Sequence, residues 1–247
     1  MRQYGRVQVT ELWRFPVKSL QGERLERAVV TPDGLDGDRR FAFFDAATGA
    51  GLTARRVPEL LFAAARATDA GGIEITFPDG AVCADRAEID ARSSQWLGRA
   101  VVLRDADFGG TRTYETPLEV DEDREDTWVS WNGPRGPFHD SPRDRVSLVS
   151  RTTTGAWDPR RFRANVVLDE GPEDELVGCE ITIGGAVLEV VKPVDRCVMV
   201  TRPQPGGIER DVGVLHSILR ERAGNLAVAS LVVRAGTVAV GDAVVRH

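Results

Sequence analysis

Lysine is almost missing from this chain. Of its 32 basic residues only Lys18 and Lys192 carry an ammonium group, so the other thirty are arginine. Cysteine is scarce too. Cys83, Cys179 and Cys197 are odd in number, widely spaced and free of any CxxC pair. That excludes a disulfide scaffold and a zinc ribbon, and it suits a reducing compartment. The three histidines, His139, His216 and His247, follow no HxH or HExxH spacing, so no histidine-built metal centre is expected. No apolar run approaches ~18 residues, which argues against a membrane-spanning helix. The first residues lack the apolar stretch of a signal peptide. There is no GxGxxG opening a helix, no GxSxG and no Walker loop. A net charge of −6 gives no overall pull toward nucleic acid or an anionic membrane. The expectation is a cytoplasmic protein that binds neither.

What the chain does contain is short strand patterns. Hydrophobic residues at 42% and charged residues at 28% are ordinary for a globular protein, and 247 residues can bury a substantial core. Stretches 7–13, 27–31, 41–44, 60–66, 72–77, 81–84 and 101–104 are β-branched or aromatic and bounded by Gly, Pro or Asp. The later half repeats the style at 165–168, 179–183, 187–191, 197–201, 226–233 and 238–240. Gly184-Gly185 between two of these reads as a tight hairpin. Helical pattern is sparse: one or two turns at 93–98, and 212–222 with Val212, Leu215 and Leu219 on one face. The fold expected is mainly β (α+β), closed or sandwich-like, with a few decorating helices. The stretch 115–136 carries an acidic run at 119–126 and then a turn-rich segment, and it reads as a connection. The expected division is therefore 1–110, a connection at 111–136, and 137–247.

Chemistry-bearing residues concentrate in a few places. Cys197 follows Lys192-Pro193-Val194-Asp195-Arg196, so a turn delivers a cysteine to the start of an apolar strand beside an arginine. Arg196 would favour thiolate over thiol, and a thiolate is both a nucleophile and a soft metal ligand. A lone cysteine is otherwise most often a small buried hydrophobe, the reading given to Cys83 and Cys179. Arg160, Arg161 and Arg163 crowd the approach to another apolar strand, where they either grip an anion or form surface ion pairs. Lys18-Ser19 follows the first strand, and Arg39, Arg40, Arg55 and Arg56 add cations at strand edges. His139-Asp140-Ser141 are adjacent, but adjacency alone does not make a triad.

Taken in order, PVKS, GLDGDRRFAFFD, LTARRVPEL, RRFRAN, KPVDRC and AGTVAVGDAV resemble the MOSC proteins that carry an N-terminal MOSC-associated barrel. That family includes the mitochondrial amidoxime-reducing components and bacterial relatives. The resemblance spans nearly the whole chain. It implies an N-terminal MOSC-associated β domain and a C-terminal MOSC β-barrel with few helices. It implies a molybdenum cofactor in which a pyranopterin dithiolene supplies two sulfurs and Cys197 a third, a soft donor set suited to that metal. By the same matching Lys18, Ser19, Arg39, Arg163 and Asn165 would contact the pterin or its phosphate, with Ser150 and Arg196 as further contacts. Arg55 matches the arginine of the family's TAR motif, whose role stays open. Two positions depart from the pattern: Ala164 where the family often has Pro, and Asp195 where it often has a small residue. A carboxylate there would oppose an anionic cofactor unless Arg196 or Lys192 compensates.

The chemistry implied is two-electron reduction of N-hydroxylated substrates. No four-cysteine ferredoxin set is present, so electrons would come from a separate iron–sulfur protein or flavoprotein, and the acidic 119–126 run reads first as a solvating loop and second as a docking point for that partner. Two other readings stay open: a sulfur carrier using a Cys197 persulfide, and a non-catalytic binding barrel. All three require Cys197 and the cations to share one cavity, except that the last needs no reactive sulfur.

Overall fold

A computed structural model of the chain describes residues 7–117 and 128–247. Eight strands form its main sheet, in the order Val244–Arg246, Glu180–Ile183, Ala186–Asp195, Asn225–Arg234, Val146–Ser150, Val166–Leu168, Val9–Arg14 and Glu23–Leu25. All neighbours run antiparallel except Val146–Ser150 and Val166–Leu168, which are parallel. The chain's first strand is thus built into a sheet otherwise made mostly by its second half. Gly236–Ala239 returns to pair with Arg27–Thr31. The fold is mainly β, as expected.

Burial explains which strands sit centrally. Val146–Ser150 and Val166–Leu168 are buried at every position, the pattern of strands covered on both faces. One face packs Leu12, Leu148, Ile181 and Leu188 into a core. The other meets the helix Gly213–Arg222 through Val214, Leu215 and Ile218. The face expected from Val212, Leu215 and Leu219 is corrected here, because Val212 and Leu219 are exposed. A further core around Phe43, Leu60, Leu61 and Ile75 fills the small sheets of residues 41–105.

Several local expectations change once the chain closes. The turns at 93–98 are the end of a twelve-residue helix, Arg86–Leu97, whose Asp85 side chain accepts from Glu88 N at 3.0 Å. Only Ile89 and Ser93 of that helix are fully buried, so its apolar stripe is too thin to read. The 60–66 stretch is a 3-10 turn, Pro58–Phe62, followed by the strand Ala64–Ala67. The connection at 115–136 contains paired strands, Thr113–Pro117 and Trp128–Asn132; the acidic 119–126 run lies outside the described residues. The hairpin at Gly184-Gly185 is as expected, with Ile183 opposite Ala186. Ala186–Asp195 tolerates Pro193 because the pairing slips there, and bulges between Val190 and Lys192 and between Pro193 and Asp195 turn the strand's end toward the cavity described next. Among the described residues, no helix is long and apolar enough to cross a membrane.

Candidate functional site

A cavity of about 110 Å³ opens where six segments of the chain meet, and charged residues make up most of its lining. Six cationic side chains and three carboxylates line it: Lys18, Arg39, Arg55, Arg161, Arg163 and Arg196 against Asp140, Asp144 and Asp195. The excess of positive charge suits an anionic ligand. The backbone at the site is strained. Ser19, Arg39 and Arg163 have φ of 71°, 50° and 52°, three of the five non-glycine residues with positive φ among those described. Such conformations persist only where surrounding contacts impose them.

Each cation is held from several sides. Lys18 Nζ donates to Phe138 O at 2.9 Å, pairs with Asp140 and lies 5.0 Å from the Tyr114 ring centre. Burial lowers its pKa, and Asp140 offsets part of that effect. Arg39 pairs with the buried Asp38 and donates to Arg163 O at 3.2 Å. Arg163 donates to Leu20 O at 2.6 Å and lies over Phe15, 4.3 Å from the ring centre. Burial, reinforced by Arg39, brings the Arg163 pKa down to about 9. The segment 160–165 is not a strand: Pro159–Phe162 is a 3-10 turn, and Arg163 caps it in the left-handed conformation.

Cys197 is partly exposed at this cavity, in extended backbone with φ −120°. It does not begin a strand. Val198–Thr201 is a 3-10 turn, because the ladder ends at Asp195 opposite Asn225 and Arg196 N takes its last partner, Gly224 O, at 2.9 Å. Beyond that point the backbone bonds to itself, Val200 N donating to Cys197 O at 3.2 Å.

Arg196 acts on the sulfur through its charge and not by a hydrogen bond. Arg196 turns inward, donating from Nε to Leu226 O at 2.6 Å and from Nη1 to Phe162 O at 3.0 Å. Its Nη2 is buried without a hydrogen-bond partner, and burial lowers its pKa to about 10. The cation on the sulfur is Arg55, whose Nε donates to Cys197 Sγ at 3.3 Å. Its Nη2 donates to Asp140 Oδ2 at 3.0 Å. Burial opposes the charge on Arg55, but Asp140, Cys197 and Asp195 outweigh it and raise the pKa above the ordinary arginine value. Asp195 lies in the fields of both Arg55 and Arg196.

Two expected contacts lie outside the cavity walls. The Ser150 hydroxyl accepts from Thr153 N at 3.0 Å and caps the short helix Arg151–Thr154. Asn165 is buried behind the wall, where its Oδ1 accepts from Ser147 N and Oγ at 3.2 and 3.1 Å and its Nδ2 donates to Trp13 O at 3.2 Å. Ser19 does line the cavity, and its hydroxyl accepts from Ala54 N at 3.0 Å, fixing the segment that carries Arg55.

Sequence reasoning missed Asp140 and Asp144. Nothing in a turn-rich stretch tells which carboxylate faces the arginines. Partial desolvation by the surrounding protein opposes the charge on the half-exposed Asp140, yet Lys18 and Arg55 hold its pKa well below the usual carboxylate range. Burial raises that of Asp144. No triad forms, since His139 Nε2 faces Asp33 O at 3.4 Å while Asp140 turns to Lys18 and Arg55. Among the described residues no group of three or more His, Cys, Asp or Glu side chains could hold a metal ion by itself.

His139 allows a pH prediction. Burial, and then Arg39, bring its pKa from 6.5 to about 3. The unfolded chain protonates this residue near pH 6.5 while the folded chain resists, so the stability it contributes is full above pH 6.5 and is lost as pH falls toward 3. Thermal melts of His139→Gln should show a shallower loss of Tm from pH 6.5 to 4 than the parent; an identical slope would refute the assignment.

Two family models match this chain: the MOSC N-terminal beta barrel domain over residues 6–116 and the MOSC domain over residues 131–245. The chain belongs to the MOSC family. No curated protein matches this MOSC chain. Among solved structures it is similar to the YUAD protein from Bacillus subtilis, at 15% identity over 96% of this chain and 93% of that one, with a TM-score of 0.44. A hypothetical protein matches at 10% identity over 98% and 68%, TM-score 0.43. YiiM from Geobacillus stearothermophilus matches at 13% identity over 56% and 72%, TM-score 0.35.

Proposed function

We propose that this MOSC protein binds a molybdenum cofactor through Cys197 and reduces N-hydroxylated substrates with electrons from a separate iron–sulfur protein or flavoprotein. The observation that carries the reading is the position of Cys197 Sγ, partly exposed beside a cavity walled by guanidinium groups and contacted by Arg55 Nε at 3.3 Å. MOSC domains are associated with molybdenum-cofactor binding in general, and the donor set present here fits such a group. A thiolate is a soft ligand, the cation excess suits a phosphate-bearing pterin, and the buried Arg196 Nη2 is a donor still without a partner.

In this reading Lys18, Arg39 and Arg163 bind the anionic end of the cofactor, with Ser19 and Arg196 as additional donors. Arg55 stabilises negative charge on the sulfur and holds it toward the cavity. Because Arg39, Arg163 and Arg196 are fixed by backbone carbonyls, and Arg39 also by the buried Asp38, these three need little reorganisation when a ligand arrives. Bound at Cys197, the cofactor would supply the two-electron redox couple.

Protein made in a cofactor-competent host tests this. The parent should carry about one molybdenum per chain and Cys197→Ala close to none. Turnover of benzamidoxime with reduced viologen should fall at least ~100-fold in the variant. A metal-free parent would overturn the reading. A sulfane sulfur on Cys197 in that metal-free protein would support persulfide carriage instead, and ligand binding unaffected by Cys197→Ala would support a non-catalytic barrel.

A further inference from the structure

Lys18, Asp140 and Arg55 form a chain of ion pairs across the cavity, and the three side chains are not held equally. Those of Lys18 and Arg55 are 8% and 13% exposed, while that of Asp140 is 50% exposed. Both cations have other anchors, Phe138 O and the Tyr114 face for Lys18 and Cys197 Sγ for Arg55. The backbone beside Asp140 is pinned, since Phe138 N donates to Arg39 O at 2.7 Å and His139 N to Pro137 O at 2.8 Å. Rotation of one half-exposed side chain, with no movement of the loop, would therefore free two fixed cations.

Asp38 is the contrasting case. It is 2% exposed, accepts from Phe15 N at 2.7 Å and pairs with Arg39, so it cannot leave without breaking buried contacts. Of the two carboxylates that form ion pairs with the cavity's cations, Asp38 is fixed and Asp140 is half-exposed to water.

We propose that Asp140 is a displaceable counter-ion, shared between Lys18 and Arg55 in the free protein and yielding both to an incoming oxyanion. A consequence is selectivity by charge. An anion gains from entering only if it brings more negative charge, or more acceptor oxygens, than the carboxylate it replaces. Phosphate groups meet that condition and monovalent halides do not. The proposal rests on reading the cavity as an anion site and needs no metal.

Calorimetric titration of purified protein with inorganic phosphate, at constant ionic strength, tests it. Asp140→Asn and Asp140→Ser should bind phosphate at least ~10-fold more tightly than the parent, equivalent to about 1.4 kcal/mol. Adding Lys18→Met to Asp140→Asn should abolish the gain, because the freed ammonium is what phosphate takes. Phosphate binding by both variants that is equal to or weaker than the parent's, or undetectable, overturns the proposal and makes Asp140 a fixed structural partner. The two readings fail separately: a metal-free parent sinks the cofactor assignment, and unchanged phosphate affinity sinks this one.

Discussion

Asp38→Ala is expected to lower stability by about 3–5 kcal/mol, the usual cost of removing one partner of a buried ion pair. Asp38 is 2% exposed, and it satisfies both Phe15 N and the Arg39 guanidinium. Truncation leaves Arg39 beside Arg163 near the Phe15 ring without its carboxylate, with a buried amide unpaired as well. For a chain of this size the loss corresponds to a fall in Tm of roughly 10 °C, readable by calorimetry. Asp38→Asn should recover part of it, because the amide oxygen still accepts from Phe15 N. Asp140→Asn, at a half-exposed carboxylate, should cost no more than about 1 kcal/mol. A fall below about 1 kcal/mol for Asp38→Ala would mean that solvent reaches Arg39 and that its surroundings are wetter than the geometry indicates.

Gly34→Ala should be comparably damaging for a steric reason. Gly34 has φ +111°, and a Cβ there would lie 2.3 Å from Arg145 O. That carbonyl cannot retreat easily. The peptide on the other side of the Arg145 Cα is fixed by Arg145 N donating to Ser230 O at 2.9 Å, and the next residue opens the fully buried strand Val146–Ser150. Gly34 itself pairs with Thr31 in the hairpin that carries Asp33 toward His139. Conformational strain and overpacking together come to about 4 kcal/mol. Gly49 is the internal control: its φ is +71° with nothing within 4 Å, so Gly49→Ala should cost only the conformational part, about 1–2 kcal/mol. Equal melting temperatures for the two variants would show that the Arg145 contact is readily relieved.

Much of the fold was legible because it depends on local chemistry. Short runs of β-branched and other apolar residues, with the turn-forming Gly-Gly, placed the strands around residues 183–186 and 226–233 close to where they occur. Cys83 is buried as its apolar surroundings suggested, and Cys179 is partly buried and accepts from Arg246 Nε at 3.1 Å. The failures share a cause. Val198–Thr201 has the composition of a strand but no neighbour to pair with, and a strand without a ladder closes into a 3-10 turn. In the helix Arg86–Leu97 the apolar stripe was too narrow to outweigh its charged surface.

For the site, sequence alone marked Cys197, Lys18, Ser19, Arg39, Arg55, Arg163 and Arg196, and these seven line one cavity. The motif order that carries the family resemblance nominated them, and the softness of a thiolate and the fork of a guanidinium agree with that nomination. Sequence could not decide which cation meets the sulfur. Arg196 is adjacent in the chain but is drawn inward by backbone carbonyls, whereas Arg55 reaches Sγ from 142 positions away. That choice, like the placement of Asp140 and the position of Asn165 behind the wall, depends on contacts between segments far apart in the chain. Local propensity acts over a few residues, and contacts between distant segments exist only after the sheet has closed.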